Sequence, residues 1–313
     1  MATTQQARGV AVPRAASDRP RVSPWRRDVP GVALALPFLV LYVLFLIVPI
    51  LYGAVMSLFD TSLVRPGLSG FVGLRNYGEL FATPAFWSSL WHTLEFTLLS
   101  TPPLVLLALG LALLAGRVAR GQWFFRLTYF APYVLPVSTV VLIWNWMYQP
   151  ETGLVDTYLG KLGIAPAGWL SNPKVAMYSI VILTVWWTLG FNFVLYLAGM
   201  QEIPRQLYEA AALDGAGPWE QIRRITIPLL GRTTTLVAVL QAIASLKVFD
   251  QIYLLTTGGP EFSTRPAVQF IYESGFTSYR VGYASAASMV LFVVILSVSL
   301  IWFALVRRQE KGV

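Results

Sequence analysis

An all-α membrane protein with six transmembrane helices is the fold class this sequence predicts, on three observations. The chain is 56% hydrophobic but only 12% charged, its mean hydropathy is +0.62, and its apolar residues gather into six runs of about 20 or more, the length that crosses a bilayer. A soluble domain does not hide that much apolar surface in one core.

Residues 1–29 come first, and Met1–Arg27 is rich in Arg, Pro, Ala and Ser with little to bury, which predicts a disordered tail. The six runs follow within 30–308: Gly31–Leu58, Thr93–Ala115, Leu127–Tyr148, Val175–Met200, Thr233–Leu255 and Tyr283–Val306. The first is too long for a secretory signal and lacks a small-x-small cleavage pattern, so it is expected to be retained. Pro37, Pro49, Pro102, Pro103, Pro132 and Pro136 lie in or beside the runs, where each removes a backbone donor and bends its helix. Residues 309–313 close the chain as a second short tail. Of the connections, Phe71–Trp91 and Glu151–Pro173 mix aromatics, Gly and Pro, which predicts partly ordered caps able to receive a soluble partner.

Lys and Arg set the orientation, because they concentrate on cytoplasmic segments. Arg8, Arg14, Arg19, Arg21, Arg26 and Arg27 precede the first run; Arg117, Arg120 and Arg126 lie between the second and third; Arg205, Arg223, Arg224 and Arg232 lie between the fourth and fifth; Arg307, Arg308 and Lys311 end the chain. Both termini are therefore expected in the cytoplasm. The formal charge of +8 is read as topology, with no groove for nucleic acid.

Several chemistries are excluded. Cysteine is absent, and the single histidine, His92, cannot build an imidazole metal cluster and is read as an interfacial anchor beside Trp91. No G-x-x-x-x-G-K-[ST] phosphate loop occurs, so nucleotide chemistry belongs to another chain. No nucleophile and base, or cluster of acids, converges in the runs, which argues against an enzyme. A self-sufficient secondary solute carrier is the alternative. It needs a coupling-ion site, for which only Lys247 and Asp250 are deep charges; these are read as a structural pair.

The connection Gln201–Gly231 reads as two short helices. Pro204 suits a first helical position, Gly215 and Gly217 break the helix, and Pro218 begins another in which Trp219, Ile222 and Ile225 recur at helical spacing before Pro228 ends it. Glu209, Ala210, Ala211 and Ala212 combine one carboxylate with a low-relief surface, and Asp214-Gly215 allows a sharp reversal. On these grounds alone, a docking element and an amphipathic hairpin lying on lipid are both open.

Glu209-Ala210-Ala211, three residues, Gly215, nine residues and Ile225-x-Ile227-Pro228 resemble the EAA loop of ABC importer permeases, EAA-x3-G-x9-I-x-LP, with Ile227 in place of Leu. Asp214-Gly215-Ala216 is similar to the DGA version of the carbohydrate-uptake branch, as are Phe71–Tyr77 and the stretch from Val248-Phe249-Asp250 to Thr256-Thr257-Gly258-Gly259-Pro260. The resemblance covers Pro30–Arg308. It implies a type I ABC importer permease fold and a subunit that forms half of a pathway for a sugar or sugar-like solute. It also implies that Glu209, Ala210, Ala211, Asp214, Gly215, Ile225 and Pro228 form a coupling loop seated on an ATPase. The implied partners are a second homologous permease, an ATP-binding subunit dimer and an extracytoplasmic solute-binding protein. No cofactor is implied for this chain, ATP being used by the ATPase subunit.

Polar groups at membrane depth usually face a bundle interior or a cavity, and the fourth and fifth runs offer Trp186, Trp187, Thr188, Asn192, Gln241, Ser245 and Gln251. The maltose-type resemblance implies solute contacts near Trp187, Thr188, Phe191, Gln241 and Ser245, with Asn192 on the same run. Interhelical hydrogen bonding is the competing role for these residues.

Overall fold

The structure, a computed structural model, describes residues 34–65, 67–116 and 122–310. The expected tail 1–29, Arg117, Arg120 and Lys311 lie outside them. Contacts divide the chain into Met1–Tyr52 and Gly53–Val313.

In the first unit the described residues belong to α1, Leu34–Met56. Leu34–Tyr52 carries no buried residue, as suits a helix solvated by lipid. Its turn at Val43–Ile47 is a π turn, closed by the Val48 N–H on the Val43 carbonyl, and Pro49 follows two residues later. A proline there has no N–H to give and its ring crowds the carbonyl four residues back, so a widened turn relieves both.

The second unit is helical, and its described residues contain one isolated antiparallel bridge, Phe59 with Phe71. A short helix, α2 (Arg75–Ala82), comes before α3 (Pro84–Gly116). The second span thus begins nine residues before the expected Thr93, because Pro84 can start a helix without an N–H. Inside α3 the hydroxyls of Ser89, Thr93 and Thr97 return to the carbonyls of Ala85, Ser89 and Thr93 at 2.8–2.9 Å, which satisfies them without water.

Two expected spans are corrected. The third is broken: α4 (Gln122–Val134) and α5 (Val137–Met147) meet at 94°. Pro136 has an extended ψ of 142° at the start of α5, and proline also disfavours α geometry at the preceding Leu135. The fifth ends early: α10 (Gly231–Leu246) is closed by three-residue bonds from Lys247 N–H to Ala244 and Val248 N–H to Ser245, and α11 (Asp250–Thr256) is a separate helix. Here α6 is Leu154–Lys161, α7 is Ala176–Gln201, α8 is Arg205–Leu213 and α9 is Pro218–Leu229. The pair expected from Lys247 and Asp250 does not form among the described residues; both side chains are exposed, one just past the end of α10 and the other opening α11.

The chain ends with α12 (Ala267–Tyr272) and α13 (Val281–Glu310). Among the described residues four helices are long and apolar enough to cross a membrane: α1, α3, α7 and the Val281–Trp302 part of α13. The bent pairs α4–α5 and α9–α10 make six if each is one span.

Two apolar clusters hold α3 and α7 to their neighbours. Phe96, Val140, Trp144, Ile180, Leu183 and Ile252 belong to one, and Val105, Ala108, Phe193, Tyr196, Leu230 and Val237 to the other. Gly190 sets the closest crossing: a Cβ there would lie 2.0 Å from the Tyr129 carbonyl oxygen. Arg280 donates to both carboxylate oxygens of Glu79 at 2.6 Å, tying the start of α13 to α2.

Candidate functional site

Helices α8 and α9 form the hairpin expected at 201–231, with one shift: Pro204 stands just before the first helical residue. Helix α8 ends in a Schellman motif, Ala216 N–H to the Ala211 carbonyl at 2.9 Å and Gly215 N–H to that of Ala212 at 3.1 Å. This closure needs a left-handed residue, and Gly215 supplies it with φ +82°. No heavy atom lies within 4 Å of a Cβ placed on Gly215, so the demand for glycine there is conformational and not steric. Pro218 opens α9 as its first residue, and the helix carries a second π turn, Ile222–Thr226, again ending two residues before a proline, Pro228.

Three residues that sequence reasoning missed clasp the two helices. Tyr208 and Thr226 share a hydroxyl bond of 2.9 Å, and the Gln221 side-chain N–H reaches the carbonyls of Tyr208 at 3.4 Å and Ala216 at 3.3 Å. No motif spacing announces such a pairing. Glu209, Ala210, Asp214, Gly215 and Pro228 are exposed and Ala211 and Ile225 half-buried, while Leu213 is 90% and Trp219 69% exposed. Glu209 faces Arg205 at 3.5 Å, with both side chains well exposed, so the pair is weak and the carboxylate remains accessible to another partner.

The second candidate region lies within the bundle. Asn192 on α7 donates to Gln241 on α10 at 3.0 Å; Gln241 donates to Ser245 at 3.1 Å; and Ser245 shares a hydroxyl bond of 3.0 Å with Ser100 on α3. All four are buried, Asn192 to 1% and Ser100 to 0% exposure. This polar layer cross-links three helices, α3, α7 and α10. Ser100 was not legible as its end, because an isolated hydroxyl in an apolar run carries no pairing information. Thr188 bonds its own helix at the Thr184 carbonyl, 2.8 Å away. Phe191 stacks on Tyr133 of α4 at 5.2 Å between centroids. Trp187 is half-buried against the first apolar cluster, and its indole N–H meets no acceptor. Trp186, expected alongside it, is more exposed and lies edge-on to Trp144 at 5.7 Å. His92 lies inside α3 with Nδ1 3.4 Å from the Arg265 carbonyl.

Comparison with known proteins gives one consistent picture. The sulfoquinovosyl glycerol transport system permease protein SmoG of Agrobacterium fabrum is 34% identical over 280 residues, covering 90% of this chain and 91% of that protein. The trehalose/maltose transport system permease protein MalF of Thermococcus litoralis is 34% identical over 280 residues, with 90% and 94% covered. Among solved structures, a bacterial alginate ABC transporter in complex with an alginate pentasaccharide-bound periplasmic protein matches with a TM-score of 0.79 at 26% identity, covering 91% of this chain and 96% of that one. A family model matches residues 29–311, and with it the chain belongs to the binding-protein-dependent transport system inner membrane components, which are transport permeases and not enzymes.

Proposed function

We propose that the chain is one of two homologous permease subunits in an ATP-driven importer of a sugar or sugar-like solute, with an ATP-binding subunit dimer on its cytoplasmic side and a solute-binding protein on the other. Both termini and the α8–α9 hairpin then face the cytoplasm. The clasped hairpin carries this reading. A segment resting on lipid needs no fixed angle between its halves, whereas one that transmits force does, and Tyr208, Gln221 and Thr226 hold that angle while Glu209, Leu213 and Trp219 stay outward. The relatives named for sulfoquinovosyl glycerol and trehalose/maltose transport support the solute class.

In this reading Trp187, Thr188 and Phe191 line the pathway, with Asn192, Gln241 and Ser245 behind them. Amides and hydroxyls exchange readily with sugar OH groups, so opening the layer would trade protein–protein bonds for protein–solute bonds as the subunit changes state. Gly215→Asp forces a side chain into left-handed backbone and is expected to abolish co-purification of the ATP-binding subunit while the permease still inserts. A wild-type chain that purifies alone and transports after reconstitution without ATP would sink the proposal.

A further inference from the structure

At the end of α7 opposite the hairpin, about 39 Å away for 26 helical residues, a second polar and aromatic constellation surrounds a cleft of about 260 Å³. Asn145 lies in the last turn of α5 and Gln149 two residues past its end, Trp169 and Ser171 come from the connection to α7, and Tyr148, 3% exposed, backs Trp169. The cleft is slightly smaller than the roughly 300–1,000 Å³ typical of drug-sized ligands, a size suited to a single ring.

The wall and the rim differ in what their polar atoms do. Trp169 donates its indole N–H to Asp156 at 2.7 Å, its ring stacks on Tyr148 at 5.5 Å between centroids, and its carbonyl accepts from Ser179 at 2.7 Å. Tyr148 in turn donates to the Ser179 carbonyl at 3.0 Å. Asp156 is only 7% exposed, sits in the first turn of α6 where a carboxylate is favoured, and also accepts from the Glu151 N–H at 3.4 Å. Burying a carboxylate is costly, and here its closest bond fixes one indole. At the rim, the amides of Asn145 and Gln149 and the hydroxyl of Ser171 bond no protein group among the described residues, though Asn145 is half-buried and Gln149 and Ser171 are exposed.

A rigid aromatic wall beside unengaged amides and a hydroxyl is the chemistry that recognises a pyranose: the wall takes the C–H face and the rim exchanges bonds with the OH groups. We propose that this cleft is a sugar-binding subsite at the mouth of the pathway, distinct from the polar layer, that holds one ring of the solute before it enters the bundle. Asp156 is a positioning residue that acts through Trp169. The inference rests on the sugar-solute reading above.

The test uses the full chain in nanodiscs of phosphatidylethanolamine and phosphatidylglycerol, so that neither lipid nor detergent brings a sugar. Saturation-transfer NMR is recorded with maltose, trehalose and arabinobiose, and with glycerol 3-phosphate as a ringless control. At least one disaccharide is expected to take saturation on its ring C–H protons. Asn145→Ala/Gln149→Ala is expected to cut that transfer at least fivefold with the fold intact, since neither amide bonds the protein; Gly217→Ala, in the hairpin, is expected to leave it unchanged. Transfer unaffected by the double variant, or lost equally with Gly217→Ala, overturns the subsite. No transfer in a chain whose assembled importer takes up these labelled sugars also overturns it and leaves the sugar reading standing; no transfer together with no sugar uptake removes both.

Discussion

The α8–α9 hairpin and the polar layer join helices with the same groups, hydroxyls and amides at similar distances, yet the hairpin's helices are mostly exposed and the layer's are packed into the bundle. In the hairpin the Tyr208–Thr226 bond of 2.9 Å joins a half-buried tyrosine to a threonine only 2% exposed, but the Thr226 hydroxyl also reaches the Gln221 carbonyl at 3.4 Å, so a broken partner has a local replacement. In the layer, Asn192, Gln241, Ser245 and Ser100 are enclosed by apolar helices, and a broken bond leaves a group that nothing else satisfies. The same bond therefore sets an angle in one region and determines whether the bundle closes in the other.

Glycines expose the contrast most sharply. Gly190→Ala drives a methyl onto the Tyr129 carbonyl and is expected to cost about 3 kcal/mol or more through overpacking, whereas Gly217→Ala, where a Cβ has no neighbour within 4 Å, is expected to be nearly silent. Thermal unfolding of the purified chain compares them, and equal melting temperatures would show that the α4–α7 crossing yields.

Within the layer, Gln241→Leu strands Asn192, leaves Ser245 with Ser100 alone, and is expected to lose about 1–3 kcal/mol. Adding Asn192→Leu should recover part of that loss, so a double-mutant cycle with no coupling would dissolve the layer as a unit. Tyr208→Phe should cost only about 0.5–1.5 kcal/mol, confined to the hairpin; faster amide exchange at 205–226 with an unchanged melting temperature is the expected pattern.

The smallest effect belongs to the Glu79–Arg280 pair. The bond from Arg280 holds the Glu79 carboxyl below its usual 4.5, so its stabilisation is full above that value and fades as the pH falls below it. Both side chains are 45% exposed, so screening keeps the term under about 1 kcal/mol. Glu79→Gln should flatten stability in that acidic window and leave it nearly unchanged at neutral pH; a large loss at neutral pH would contradict a solvent-screened pair.

What the sequence made legible follows the physics of each feature. Apolar runs announce spans because lipid demands them, and Gly215 with Pro218 announces the hairpin because left-handed closure and a helix start restrict residue type. Breaks were harder to read. Pro136 was visible, but the 94° between α4 and α5 depends on what each packs against, and nothing in Leu246-Lys247-Val248 marks the end of α10, because its closing bonds come from backbone alone. The Tyr208 clasp and the Ser100 terminus are pairings between distant residues, which no local pattern encodes.

The π turn in α9 has a consequence for how this subunit can vary. One residue beyond the ordinary repeat advances a helix by about 100°, so Ile222–Thr226 rotates the outer surface of the hairpin out of phase with the face that α10 turns toward Asn192. Removing a single residue there would leave every other side chain chemically intact while swinging Trp219 to another quarter of the helix. The phase between the two regions is thus set by backbone count, which leaves the side chains of each free to diverge without re-aiming the other.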